Sequence, residues 1–144
     1  MSAVKRKSMK AKYLVAILLL LIISCKKESA RLTDDLQGKW ELASSDGAWS
    51  GHVDYEPGNG NTYTFISNNY ERTIIGVDSI YTYSGTFKIY TGKPCDFAQE
   101  QSLIEFDNIH DNPARFSLSD RKLSIGTTEC IADGGTATYR KISN

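Results

Sequence analysis

The apolar residues of this chain follow two patterns. Tyr13–Ile23 is an unbroken run of eleven; from Gly38 onward apolar and polar side chains mostly alternate, the repeat of a half-buried strand. Trp40, Leu42 and Ser44 share one face of a first strand, opposite Glu41 and Ala43. In Thr62–Ser67, Tyr63 and Phe65 alternate with Thr62 and Thr64, and Tyr70–Ile75 forms a third run whose facing is ambiguous because it ends in adjacent isoleucines. Ser79–Tyr90 is the longest pattern, with Tyr81, Tyr83, Phe87 and Ile89 on one side. Gly85 interrupts that side and marks a bend. Leu103–Asp107, Ala114–Ser119, Lys122–Thr127 and Thr136–Ile142 complete eight predicted strands.

The links are short. Asn68-Asn69 and Asp120-Arg121 fit tight hairpins, since Asn and Asp tolerate left-handed backbone. Gly76-Val77-Asp78, His110–Pro113 and Asp133-Gly134-Gly135 are turn-like. Ahead of the first strand, Thr33 is placed to cap one turn over Asp34–Gln37, which Gly38 ends. No helix of about ten residues separates the strands, as a parallel sheet would need. The expected fold is all-β: an eight-stranded antiparallel up-and-down barrel, whose closure removes exposed edges. An open sandwich is the alternative.

The apolar block has a different meaning. Lys5, Arg6, Lys7, Lys10 and Lys12 precede it, and it is shorter than the roughly 18 residues that cross a bilayer, so it has the form of a signal-peptide core. The residues that close it, Leu21-Ile22-Ile23-Ser24-Cys25, resemble a bacterial lipobox. That resemblance implies a diacylglycerol on the Cys25 sulfur, cleavage after Ser24, and acylation of the new amino group by a chain such as palmitate. Two or three chains anchor stably where one does not. An ordinary cleaved signal with an incidental Cys is the plainer alternative. The expected organisation is a signal peptide at 1–24, a lipidated tether at 25–32 and a barrel domain at 33–144.

Removing the leader changes the charge. Of 17 basic and 17 acidic residues, 12 basic and all 17 acidic remain, a formal net charge of −5. A mildly acidic chain without clustered Lys and Arg after Lys27 excludes a nucleic-acid partner. Two cysteines remain, Cys95 and Cys130. An oxidising compartment permits a bridge between them, closing a loop worth about 4 kcal/mol in the chain-entropy model; two free thiols are the alternative. In a strict meander Cys95 and Cys130 fall at opposite ends of the barrel, so a bridge requires the Thr91–Ser102 connector to climb the wall.

Gly38-Lys39-Trp40, on a first strand after a short helical turn, resembles the first motif of the lipocalins. In that family the Trp plugs the closed end of the barrel and a late Arg packs across its ring. The resemblance implies that role for Gly38, Trp40 and Arg140, the last in Tyr139-Arg140-Lys141-Ile142. With the lipobox and Leu36-Gln37-Gly38-Lys39-Trp40, the chain looks like the small lipocalin-like lipoproteins of Bacteroidota. The Thr-Asp-Tyr motif of the larger lipocalins is absent.

Two regions are candidates for ligand chemistry. The link Asp46–Asn61, a lid in the lipocalin arrangement, carries Trp49, His52 and Tyr55 at the expected mouth. Tyr63, Phe65, Tyr81, Tyr83, Phe87, Phe106 and Phe116 give an aromatic interior, either a cavity for an apolar molecule or a filled core. Other signals fail. Gly58-Asn59-Gly60 lacks the third Gly and the helix of a dinucleotide loop, and Gly47–Gly51 has Trp where a nucleophile elbow needs Ser. His52 and His110 are isolated, which excludes a zinc site; Asp107–Asn112 lacks the Gly and distal Glu of a calcium loop. No metal, no cofactor and no catalytic residue is expected, and the chain is read as a non-enzyme. The expected function is an exported, lipid-anchored barrel in the cell envelope, on the outer membrane and on either of its faces, binding a small hydrophobic ligand. A filled barrel that contacts an envelope protein partner is the alternative.

Overall fold

Alternating sequence makes strands wherever one face can be covered, and the computed structural model, which describes residues 30–107, 113–119 and 121–143, is built mainly of them. The expected signal peptide, Cys25, the first part of the tether, His110 and Asp120 lie outside the described residues. The chain divides into two units, Met1–Arg31 and Leu32–Asn144. The second holds the whole described core and its own closed sheet, the requirements for folding by itself.

Among the described residues there is one short helix, α1 (30–36), followed by nine strands: β1 (Gly38–Gly47), β2 (Gly51–Asp54), β3 (Thr62–Ile66), β4 (Asn69–Ile75), β5 (Ile80–Gly92), β6 (Gln101–Phe106), β7 (Ala114–Ser119), β8 (Lys122–Gly126) and β9 (Gly135–Ser143). Every neighbouring pair is antiparallel. Eight strands close into a barrel because β1 pairs with β3 on one edge and β9 on the other. The ninth, β2, falls inside the link expected to be strandless. It pairs with Ser44–Gly47, taking over the edge of β1 where β3 has ended. Gly51, at φ 67°, allows the reversal, since a left-handed backbone suits glycine.

The helix starts earlier than Thr33 predicts, and Thr33 lies inside it. Leu32 and Leu36, one turn apart, both pack on the core, and that shared face sets the helix. Gly38, at φ 111°, then turns the chain into β1. Gln37, between helix and strand, clamps the β3–β4 turn: its Oε1 accepts from the Ser67 N–H at 2.6 Å and its Nε2 donates to the Ser67 carbonyl at 3.1 Å. That turn is Ser67-Asn68, one residue earlier than predicted, because Ile66 pairs with Asn69.

β5 changes partners along its length: Ile80–Thr86 pairs with β4, and Phe87–Gly92 with β6. This corrects the expected placing of Tyr81 and Tyr83. Both keep the face of Phe87, but β6 no longer runs beside them, and they are 51% and 44% exposed. The aromatic core consists instead of Trp40, Tyr63, Phe65, Tyr70, Phe87, Phe106, Phe116 and Tyr139. Tyr63 stacks on Phe65 at 5.4 Å between centroids, and Tyr70 meets Phe106 edge-on at 4.7 Å, geometries that aromatic quadrupoles favour.

Candidate functional site

Trp40 is fully buried at the start of β1 and donates from Nε1 to the Leu36 carbonyl at 2.7 Å. The cation over its ring is Lys141, whose Nζ lies 5.3 Å from the centroid. The resemblance placed Arg140 there, and the register explains the correction. Lys141 is the β9 residue opposite Trp40, whereas Arg140 is opposite Glu41 and therefore stands on the other face of the strand.

On that face Arg140 holds the barrel seam. Its Nε donates to Glu41 Oε2 at 3.1 Å, and its Nη2 donates to the carbonyls of Tyr55 at 3.0 Å and Leu42 at 3.3 Å. Glu41 also accepts the Gly58 N–H at 2.9 Å. Burial alone would raise the Glu41 pKa; the Gly58 and Gly60 N–H groups and the Arg140 guanidinium outweigh it and hold the carboxyl below its ordinary value. The second half of the predicted lid, 55–61, is thus a strap tied along the β1–β9 seam.

The first half is the β1–β2 hairpin. Trp49 sits at its tip, 87% exposed, and does not reach the barrel mouth. His52 is also exposed, held between Asp46 Oδ1 at 2.6 Å and Asp54 Oδ1 at 3.2 Å. The hydrogen bonds to Asp46, then Asp54, raise its pKa. Of the three expected mouth residues, Tyr55 borders an interior space, His52 borders an open cleft beside the β8–β9 link, and Trp49 borders neither.

The cover of the mouth comes from elsewhere. A cavity of about 370 Å³ occupies the upper barrel. Tyr63, Phe106, Ile125 and Tyr139 form its wall, and Thr128 and Ile131 of the β8–β9 link border it. A disulfide pins that link: Cys130 is bonded to Cys95 of the β5–β6 link, with Cα atoms 6.2 Å apart. Beside it, the Gln99 N–H and Gln101 Nε2 both donate to Glu129 Oε1, at 3.0 and 3.4 Å. Two long links, 93–100 and 127–134, provide the reach that a strict meander denies.

Among the described residues that line the cavity, one is a cation. Arg72 of β4 stands opposite Tyr63 in register, with its guanidinium carbon 5.2 Å from the Tyr63 centroid. It lines both this cavity and a neighbouring space of about 230 Å³ bordered by Leu42, Tyr55, Ile74 and Tyr139. Burial pushes the Tyr63 and Tyr139 hydroxyls well above their ordinary pKa, and Arg72 beside both opposes the shift. Both phenols are therefore neutral donors at physiological pH. Sequence reasoning missed Arg72, although a signal existed: Tyr70, Arg72 and Ile74 share a period-two face on which Arg72 is the one charge.

Of the expected ligand residues, the structure brings Tyr63 and Tyr55 to these two spaces. Phe65 is in the packed base. Among the described residues no cluster of His, Cys, Asp and Glu is arranged to hold a metal, and no helix is long and apolar enough to cross a membrane. In comparisons with known proteins, the chain matches no family model, no curated protein and no solved structure.

Proposed function

We propose that this chain is an exported, lipid-anchored barrel of the lipocalin-like kind, which holds a small apolar ligand beneath its β8–β9 link. The observation that carries the reading is the cavity of about 370 Å³. It lies within the roughly 300–1,000 Å³ typical of small-molecule sites, in a barrel whose base is already closed by packed aromatics. Tyr63, Phe106 and Tyr139 do both: they pack in the core on one side and form the cavity wall on the other. The lipobox-like Leu21–Cys25 supports anchoring through Cys25, and the Cys95–Cys130 bridge suits an exported protein.

Two measurements test the two halves. Metabolic labelling with palmitate in a bacterial host is expected to label the full chain and not Cys25→Ser; equal labelling rejects the anchor. Envelope fractionation of the labelled protein is expected to place it with the outer membrane. Native mass spectrometry of residues 32–144, secreted into a periplasm, is expected to show an adduct that dissociates on activation. A clean apo mass from several hosts rejects the ligand reading in favour of a barrel used for protein contacts.

A further inference from the structure

Resting on the reading of the barrel as a ligand carrier, we infer that the ligand is an anion: an apolar or aromatic body bearing one oxyanion, carboxylate or sulfonate, that pairs with Arg72 inside the barrel. Three observations carry this. Arg72 is on the interior face, stacked on Tyr63 and lining both spaces. Among the described residues its guanidinium makes no ion pair. The acid on the same cavity wall, Asp46, is engaged by His52 Nδ1 at 2.6 Å.

Arg72 is half-buried, and a cation even partly withdrawn from water without a counter-charge is unfavourable. Arg72 is partly shielded by a phenol ring and flanked by neutral hydroxyls of Tyr63 and Tyr139, which offset only part of that cost. An oxyanion supplies the rest. The planar guanidinium presents paired N–H donors to two oxygens at once, and the tyrosine hydroxyls can donate to the same group. The apolar body would then occupy the space between Phe106, Ile125 and Ala137. Charge and shape together point to an amphipathic monoanion rather than a neutral hydrocarbon.

The test uses two fluorophores with one three-ring skeleton: 8-anilinonaphthalene-1-sulfonate, and N-phenyl-1-naphthylamine, which lacks the sulfonate. Each is titrated into residues 32–144. The neutral compound is the more apolar, so burial alone favours it. Ion pairing with Arg72 is expected to reverse that order, with the sulfonate about tenfold tighter. In Arg72→Met the sulfonate's advantage is expected to vanish while the neutral compound still binds. In Arg115→Met, which removes an exposed cation outside this cavity, the advantage is expected to persist. Should Arg72→Met not fold, the order in the unsubstituted protein decides. If the neutral compound binds as tightly as the sulfonate or more so, the Arg72 pairing is wrong and the ligand cavity stands. If neither binds, the cavity reading fails and the pairing with it.

Discussion

Arg140 and Glu41, separated by 99 positions, meet at 3.1 Å across the seam where the last strand closes onto the first. The pair does more than close a sheet. Its two side chains also hold the Tyr55 carbonyl and the Gly58 N–H, so one ion pair fastens both the barrel and its strap.

Arg140→Met leaves a covered carboxylate with only backbone donors. It is expected to cost about 2–3 kcal/mol, below the roughly 3–5 of a fully buried pair because Arg140 is partly exposed. The folded Glu41 pKa lies below its ordinary 4.5. Its contribution is therefore complete above 4.5 and disappears as pH falls through the folded value. Urea melts at pH 7 and at pH 3.5 measure both: the penalty of Arg140→Met should be smaller at the lower pH, and an equal penalty would reject the coupling.

The Cys95–Cys130 bridge closes a loop of sequence separation 35. Replacing both residues with Ser is expected to lower stability by about 4 kcal/mol in the chain-entropy model. Because the bridge pins the link bordering the cavity, the double variant should also bind either fluorophore more weakly. Intact mass provides the control, with the bridged protein lighter than its reduced form by about 2 Da from two lost hydrogens.

His52 titrates near 6.5 in the unfolded chain and higher in the fold, through Asp46 first and Asp54 second. Its contribution to the β1–β2 hairpin is complete below 6.5 and is lost as pH rises through the folded value. An NMR titration should place the His52 imidazole above 6.5, and Asp46→Asn should bring it down. No difference between the two proteins would mean that the contact does not persist in solution.

Tyr70 is buried, and among the described residues its hydroxyl is the one buried side-chain polar atom with no hydrogen-bond partner. Tyr70→Phe keeps the ring against Phe106 and removes an unsatisfied group, so it is expected to leave stability unchanged or raise it by about 1 kcal/mol. A fall in melting temperature would show that the hydroxyl has found a partner.

Much of the fold was legible because its cause is local. Period-two alternation fixed the strands, their number in the ring and their antiparallel order, since each residue's facing depends on its immediate neighbours. Phe87, Phe106 and Phe116 were placed inside on that ground alone. Tyr81 and Tyr83 have the same alternation and are exposed, because burial needs a neighbouring strand and β6 departs at Thr86. The candidate site was less legible for the same reason. The lipocalin resemblance implies a lid carrying Trp49, but Trp49 sits at the tip of a hairpin that no sequence pattern announces.

What the sequence determined by itself was a chain that alternates into a meander, begins its barrel at Gly38, and carries Cys95 and Cys130 in the links between strands. Only the tertiary structure decided what those parts meet. Register put Lys141 over Trp40 and Arg140 on Glu41, a difference of one residue that turns a side chain to the opposite face. Two links from distant strands brought Cys95 to Cys130. The closing of the ring carried Arg72 into the interior beside Tyr63 and Tyr139, because the surroundings of a charge are set by strands far away in sequence.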